Sequence, residues 1–202
     1  AAYPPGKGDI TNMIRSYIHR CQKDGVKIVM NCEVTPELIK EEKPDSVIIA
    51  TGSKTLILPI EGIDNPAIIH GSDLLDGKRP AGKKVLVVGG GMVGCETAAF
   101  LGEQEHDVTV IEFRDTVGAD VIHEHRVYLM KDFEDYGIKE ITGAKVCKFY
   151  EDGVEYETAD GVRHESRGYD SVILSMGFRN YNPLEEKIKD LVPETHVIGD
   201  AI

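Results

Sequence analysis

The sequence predicts an α/β fold built around a parallel sheet, and three observations favour it. A short apolar strand at residues 85–88 runs into a glycine-rich turn, a helical stretch at 92–104 follows, and a second apolar strand comes at 108–112. This order is a βαβ unit, and such units form parallel sheets. With 202 residues and 41% hydrophobic content, the chain can form one large domain or two small ones.

The residues before this unit predict shorter elements. Apolar residues recur at helical spacing behind the candidate N-cap Asp9, which predicts a helix to about Asp24. The later patterns predict a strand at 26–30, a short helix at 36–42 and a buried parallel strand at 46–50. Prolines and glycines interrupt residues 53–82, so we expect a connector between domains with a helical stretch at 72–75.

The residues after the βαβ unit predict a longer helix and then mostly strands. We expect a helix at about 121–136 and strands at 138–141, 171–175 and 196–198. Between them, strands near 144–150, 153–158 and 162–166 alternate with the hairpin turns Asp152-Gly153 and Asp160-Gly161. This pattern predicts an antiparallel meander inserted in the α/β domain.

The glycine-rich turn has the spacing of a Rossmann-type dinucleotide fingerprint. Gly89 would allow the tight turn, Gly91 would let the backbone approach a pyrophosphate, and Gly94 would let the helix pack closely on the strand. Glu112 ends the next strand, where a carboxylate can accept hydrogen bonds from a ribose 2′-hydroxyl. A glycine triplet alone also fits a flexible surface turn, but the strand, helix and acid around it favour cofactor binding.

The predicted cofactor is NAD(H), with NADP(H) less favoured, because a 2′-phosphate would meet the negative charge of Glu112. Arg114 argues the other way, since an arginine there can accommodate that phosphate. Glu96 is either a solvated acid of the first helical turn or a residue near the nicotinamide. The candidate cofactor residues around the turn are therefore Gly89, Gly90, Gly91, Met92, Val93, Gly94, Glu96, Glu112, Phe113 and Arg114.

Other eye-catching residues have simpler interpretations. His123 and His125 are two apart on a predicted helix and diverge, so we expect an exposed face and no metal site. Cys95, beside the turn, is interpreted as a small packing residue. The charged run at 185–190 is interpreted as a solvated helical face. No catalytic acid, base or nucleophile is evident.

Composition excludes several classes of function. Lys and Arg total 23 against 35 Asp and Glu, and the net charge of −12 would repel nucleic acid. The cysteines include no C-x-x-C pair, which argues against zinc, an iron–sulfur cluster or a disulfide framework and favours the cytoplasm; they are Cys21, Cys32, Cys95 and Cys147. No apolar run approaches the roughly 20 residues that span a bilayer, so we expect no membrane partner.

The order of the motifs resembles the C-terminal half of the 2,4-dienoyl-CoA reductase and enoate reductase family, the old yellow enzyme-like NADH:flavin oxidoreductases. More loosely, it is similar to any flavoprotein reductase with two dinucleotide folds. The motifs are Pro4-Pro5-Gly6-Lys7, Ala50-Thr51-Gly52, the Gly89 fingerprint with Glu96-Thr97-Ala98, Met176-Gly177 and Gly199-Asp200. In that family, a barrel with FMN and an iron–sulfur cluster precede a FAD domain, into which an NAD(P) domain is inserted.

The resemblance implies a domain division and further cofactor residues. Residues 77–178 would bind NAD(H), and residues 1–76 and 179–202 would be a partial FAD-type domain. Ala50, Thr51 and Gly52 would mark the exit from that domain, and Met176 and Gly177 the return to it. Gly199 and Asp200 would face the ribityl and phosphate region of FAD. The family's first glycine fingerprint would precede Ala1, so we expect this chain alone to hold FAD weakly or not at all.

The resemblance further implies that the chain is a fragment of an NADH:flavin oxidoreductase, inactive alone, in which hydride passes from nicotinamide to flavin. Its expected partners are a dinucleotide and the missing barrel and FAD-fingerprint segment, which would hold FMN and the cluster; homo-oligomerisation stays open. One alternative is a non-catalytic module that binds ADP or another adenine nucleotide. A second is a complete small reductase of another disulfide-reductase-like type.

Overall fold

The computed structural model describes residues 7–202, so of the motif at residues 4–7 only Lys7 lies within the described part of the chain. Its helices are α1 (Asp9–Lys23), α2 (Pro36–Glu42), α3 (Gly71–Leu75), α4 (Met92–Glu103), α5 (His123–Asp135) and α6 (Glu185–Ile188). Its strands are β1 (Ser46–Ile49), β2 (Ser53–Thr55), β3 (Ile69–His70), β4 (Lys84–Val88), β5 (Asp107–Ile111), β6 (Lys139–Ile141), β7 (Lys145–Tyr150), β8 (Gly153–Glu157), β9 (Arg163–Ser166), β10 (Ser171–Leu174), β11 (Phe178–Asn180) and β12 (Glu194–Val197).

The chain forms two compact units. The first contains Ile57–Gly177 with the described residues 7–12, and the second contains Met13–Leu56 and Phe178–Ile202. In the first unit, five strands form one parallel sheet in the order β3-β10-β4-β5-β6. The predicted α/β fold with a parallel sheet is therefore confirmed.

The sheet of the first unit is covered on both faces. Val85 and Val87 of β4 belong to a hydrophobic cluster with the helices α4 and α5, whereas Leu86 and Val88 belong to a cluster on the opposite face. That second cluster includes Phe149 from the meander of β7, β8 and β9, which pair antiparallel as predicted. Alternate side chains of β4 point to opposite faces, so burial of all four explains why this strand is a continuous apolar run.

Most of the connector predicted at residues 53–82 belongs to the first unit. The longer segment of that unit starts at Ile57, whereas the predicted NAD(H)-binding domain starts at residue 77. Ile68 and Ile69 are buried, and β3 adds an edge strand to the parallel sheet beside β10. A strand of two residues is too short to leave a periodic signal, which is why sequence reasoning missed it.

The second unit contains two small sheets, a parallel pair of β1 with β12 and an antiparallel pair of β2 with β11. The prediction of a buried strand at 46–50 is wrong in part, because Ile49 is buried but Ile48 is 65% exposed. The strand predicted at 26–30 is also wrong, since those residues form no strand and are exposed. Within residues 7–202, no strand pairs with this β-rich segment.

Helices α1 and α6 also differ from expectation in burial. Helix α1 has the predicted range, but it has no buried residue. Helix α6 covers part of the charged run at 185–190, yet Ile188 is fully buried, so that run is not wholly a solvated face. Among residues 7–202, no helix is long and apolar enough to cross a membrane.

Candidate dinucleotide-binding site

The turn between β4 and α4 requires glycine at two positions. Gly89 has a φ of 106°, and a Cβ there would lie 2.4 Å from the carbonyl oxygen of Ser175 on the adjacent segment. At Gly94, a Cβ would lie 1.8 Å from the carbonyl oxygen of Gly89. Helix α4 therefore packs directly on the backbone of the turn, at a distance that no other residue allows.

The N-terminus of α4 opens at this turn. Gly91 is the N-cap residue and has no side chain to accept hydrogen bonds from the first turn of the helix. The helix is 12 residues long, so its first N–H groups and its dipole provide a partial positive charge. Such a terminus is suited to a phosphate group without help from lysine or arginine.

Glu112 follows β5 and points toward the glycine turn. Its Oε2 accepts a hydrogen bond from the N–H of Gly90 at 2.6 Å, and its Oε1 accepts one from the N–H of Arg114 at 2.8 Å. Two backbone donors therefore hold the carboxylate in one orientation beside the turn. Each oxygen retains a lone pair that can accept a hydrogen bond from a hydroxyl group.

A small cavity of about 140 Å³ lies beside Glu112. Its walls are mostly apolar and come from the ends of three parallel strands and from the start of the meander. The lining residues are Val88, Gly89, Ile111, Glu112, Phe113, Ala144, Val146 and Met176. Sequence reasoning missed Ala144 and Val146, because they follow β6, which pairs with β5 only in the folded chain. The cavity suits a flat apolar ring with a polar group at its edge.

Phe113 and Arg114 border a second cavity, of about 480 Å³, which Lys145 also lines. The Phe113 side chain is 68% exposed, so it offers an aromatic face to any molecule on Glu112. The cationic side chains of Arg114 and Lys145 could attract the 2′-phosphate that distinguishes NADP(H) from NAD(H).

Glu96 is buried at 7% exposure, so its interpretation as a solvated acid of the first turn is wrong. Its Oε1 forms an ion pair with the Nζ of Lys7, and His125 Nε2 on α5 lies 3.7 Å from the same oxygen. Lys7 was noted only as part of a motif, and its ion pair joins residues 89 positions apart. No local pattern predicts a contact of that sequence separation.

A second carboxylate at the turn, Asp120, was not among the predicted site residues. Its Oδ1 accepts a hydrogen bond from the N–H of Met92 at 3.0 Å, at the first residue of α4. Asp120 lies in the segment between β5 and α5, which has no regular structure. Its position depends on how that segment folds back over the turn, and no sequence spacing indicates this.

Cys95 is fully buried, and its thiol donates a hydrogen bond to the carbonyl oxygen of Gly90. Burial is the largest cause that raises the pKa of this thiol, to about 12. A thiol with this pKa is protonated at neutral pH and is a poor nucleophile. The interpretation of Cys95 as a packing residue is confirmed.

The remaining predicted residues are distributed over both units. Met176 and Gly177 follow β10 in the first unit, where Met176 lines the small cavity and Gly177 has a φ of 100°. In the second unit, Ala50, Thr51 and Gly52 follow β1. Gly199 and Asp200 follow β12 in a short 3₁₀ turn. The hydroxyl of Thr51 donates a hydrogen bond to the carbonyl oxygen of Tyr181. Because β1 and β12 are parallel neighbours, these two motifs lie at the same edge of the small sheet.

Comparison with known proteins identifies the family. The family pattern of the pyridine nucleotide-disulphide oxidoreductases matches residues 7–192. The chain belongs to this family. The predicted relation to pyridine nucleotide oxidoreductases is thereby confirmed at the level of the family.

Individual relatives of this family member are much longer than the chain. Bilirubin reductase of Mediterraneibacter gnavus is 30% identical over 201 residues, which cover 100% of this chain and 31% of that protein. NADH oxidase of Thermoanaerobacter brockii is 32% identical over 207 residues, which cover 100% of this chain and 32% of the oxidase. The chain spans about a third of the length of these relatives.

A solved structure has the same fold along nearly the whole chain. The complex of 2-naphthoyl-CoA reductase with 2-naphthoyl-CoA superposes with a TM-score of 0.91 at 32% sequence identity. The superposition covers 99% of this chain and 30% of the solved chain. Both units therefore have their counterparts within a single reductase polypeptide.

Proposed function

We propose that the first unit binds NAD(H) and holds its nicotinamide for hydride transfer to a flavin, as part of a larger NADH:flavin oxidoreductase of the enoate reductase type. The observation that supports this most directly is the placement of the Glu112 carboxylate. It is held at the glycine turn by the N–H groups of Gly90 and Arg114, beside the N-terminus of α4. A phosphate site and a ribose acceptor thus lie next to each other, as an ADP group requires.

The described residues fit the parts of that cofactor in order. The N-terminus of α4 would hold the diphosphate, Glu112 would accept hydrogen bonds from the adenosine ribose, and the small cavity beside Phe113 would take the adenine ring. When bound, the nicotinamide supplies the hydride. The protein's contribution is then chiefly to position it, because no acid, base or nucleophile is needed for hydride transfer itself.

Glu96 is the residue of this unit that we assign to the nicotinamide half of the site. It lies in the second turn of α4, further along the helix than the N–H groups that would hold the diphosphate. Its ion pair with Lys7 orients this buried carboxylate. In this position it would orient the nicotinamide ring, which makes it a positioning residue.

We propose NAD(H) as the preferred cofactor over NADP(H). A 2′-phosphate on the ribose would lie against the Glu112 carboxylate, whose orientation is fixed by two backbone donors. Arg114 and Lys145 line the neighbouring cavity and would offset part of that repulsion. Because backbone groups hold Glu112 in one orientation, we expect its repulsion to outweigh the attraction of these two cations.

For the whole protein we propose a reductase that also contains FAD, with Ala50, Thr51, Gly52, Gly199 and Asp200 belonging to its FAD-type domain. FMN and an iron–sulfur cluster would be held by other parts of that protein. The relatives named as reductases of bilirubin and of 2-naphthoyl-CoA support a reductive activity on an organic substrate. The isolated chain would bind the dinucleotide without turning over a substrate.

Calorimetric titration of the 202-residue chain with NADH, NADPH and ADP tests this proposal. We expect NADH to bind more tightly than both NADPH and ADP. Glu112→Gln should weaken NADH by about tenfold, from the loss of a charged hydrogen-bond acceptor. It should also bring the dissociation constants of NADH and NADPH closer together. A general loosening of the turn would weaken both ligands by the same factor, because both contain the diphosphate. Glu124→Gln, an exposed charge change on α5, is the matched control.

Two results would favour the alternatives. Equal affinity for NADH and ADP, with no contribution from the nicotinamide half, would indicate a non-catalytic adenine-nucleotide module. Flavin absorbance in the purified chain would indicate that the chain itself is a complete small flavoprotein reductase.

A further inference from the structure

We propose that Asp120 is an internal anion that competes with the cofactor's diphosphate for the N-terminus of α4 and thereby sets the affinity of the site. This inference rests on the proposed function, because it concerns the same glycine turn. The roles of the two acids are opposite. Glu112 would accept hydrogen bonds from the ribose, whereas the Asp120 carboxylate has to move away from the N-terminus of α4 before the diphosphate can bind.

The contacts of Asp120 lie where a diphosphate would bind. Its Oδ1 accepts the hydrogen bond of the Met92 N–H at 3.0 Å, and its Oδ2 is 3.1 Å from the position that a Cβ on Gly91 would occupy. The carboxylate therefore lies directly over the Gly91–Met92 backbone. That backbone is the surface that the absence of a side chain at Gly91 leaves open for close approach.

Two carboxylates accept backbone hydrogen bonds at this turn. Glu112 takes the N–H of Gly90, and Asp120 takes the N–H of Met92. The dipole of α4 stabilises Asp120 in this place just as it would stabilise a phosphate. A diphosphate that entered beside Asp120 would meet both an occupied donor and a like charge within a few ångströms.

The segment that carries Asp120 is anchored, so displacement falls to the side chain. The N–H of Gly118 donates to the carbonyl oxygen of Gly90 at 2.6 Å, and Val117 is fully buried. Arg126 donates to the carbonyl oxygen of Val117 at 3.1 Å and to the hydroxyl of Thr116 at 3.0 Å. Asp120 itself is exposed, so its carboxylate can rotate into solvent while the backbone stays against the turn.

Titration of Asp120→Ala and Asp120→Asn with NADH and ADP tests the proposal. Asp120→Ala removes both the charge and the acceptor, and we expect it to tighten both ligands by about tenfold, the effect of one charge-assisted hydrogen bond and one like-charge contact. Asp120→Asn keeps an acceptor oxygen without the charge, so its gain should be smaller. Glu124→Gln removes one exposed charge from α5 and should leave the affinity unchanged.

The choice of ligand separates competition from a general effect on the fold. Inorganic pyrophosphate should gain from Asp120→Ala by the same factor as ADP, whereas adenosine, which has no phosphate, should gain nothing. The ligand-free Asp120→Ala protein should melt at a lower temperature, because α4 loses the acceptor at its N-terminus. Lower stability together with tighter binding is a combination that simple structural damage does not produce.

The possible failures are distinguishable. If the wild-type chain binds NADH but Asp120→Ala binds it equally well or less tightly, the competition is refuted and the proposed function stands. If neither the wild-type chain nor any variant binds NADH or ADP, the proposed function is refuted and this inference with it.

Discussion

Replacing Gly94 with alanine should damage both the fold and the candidate site. The new Cβ would lie 1.8 Å from the carbonyl oxygen of Gly89, whereas ordinary Cβ contacts begin at about 3.4 Å. Helix and turn would have to separate by about 1.6 Å, and both are backbone groups that no side-chain rotation can relieve. Overpacking of this kind costs about 3 kcal/mol, offset by roughly 0.5–1 kcal/mol because alanine favours a helix more than glycine does.

The net loss of about 2 kcal/mol should lower the melting temperature by roughly 4–8 °C in a domain of this size. A shift of this extent would also move the N–H groups of α4 out of hydrogen-bond range of a diphosphate. Loss of one such bond to a charged group weakens binding by about tenfold. Differential scanning calorimetry and NADH titration measure the two effects.

Gly8→Ala is the control for this experiment, because a Cβ at Gly8 would have no neighbour within 4 Å. We expect that variant to melt and to bind NADH like the wild-type chain. If Gly94→Ala matched the wild type in both measurements, the close packing of helix on turn would not be what holds the site together.

Two further predictions concern buried groups near the turn. Glu96→Gln should lower the free energy of unfolding by about 1–2 kcal/mol, since it removes a charge from a buried pair whose partner, Lys7, is partly exposed. A double-mutant cycle with Lys7→Met measures the coupling energy of the pair. Additive effects of the two substitutions would show that the ion pair contributes nothing to stability. Cys95, whose pKa is raised to about 12 by burial, should not react with a thiol-specific disulfide reagent at pH 8 until the chain is unfolded. The exposed Cys32 should react in the native protein. Rapid labelling of Cys95 in the native protein would contradict its burial.

The strand, turn and helix around Gly89 could be predicted because all of their signals are local. An apolar run, a fixed glycine spacing and a helical stretch follow one another within 20 residues, and Glu112 ends the next strand. The structure places these elements as predicted, with β4 and β5 as parallel neighbours. The candidate residues that follow these strands were predicted from the same local signals.

Residues that reach the site through long-range folding could not be predicted in this way. Lys7 pairs with Glu96 across 89 positions, and Asp120 contacts Met92 across 28. Residues 26–30 show the opposite error, because a β-rich composition predicted a strand, and no strand among residues 7–202 pairs with them. Composition indicates what a segment can do, but a strand also needs a partner.

The parallel sheet, the glycine turn and the acid at the end of β5 follow from the order of the residues alone, because each depends on periodicity or on spacing along the chain. The burial of Glu96 against Lys7 and the hydrogen bond from the Met92 N–H to Asp120 arise from the folded chain. The physical reason is that burial and hydrogen bonding between distant segments depend on the path of the whole chain, which no local pattern contains.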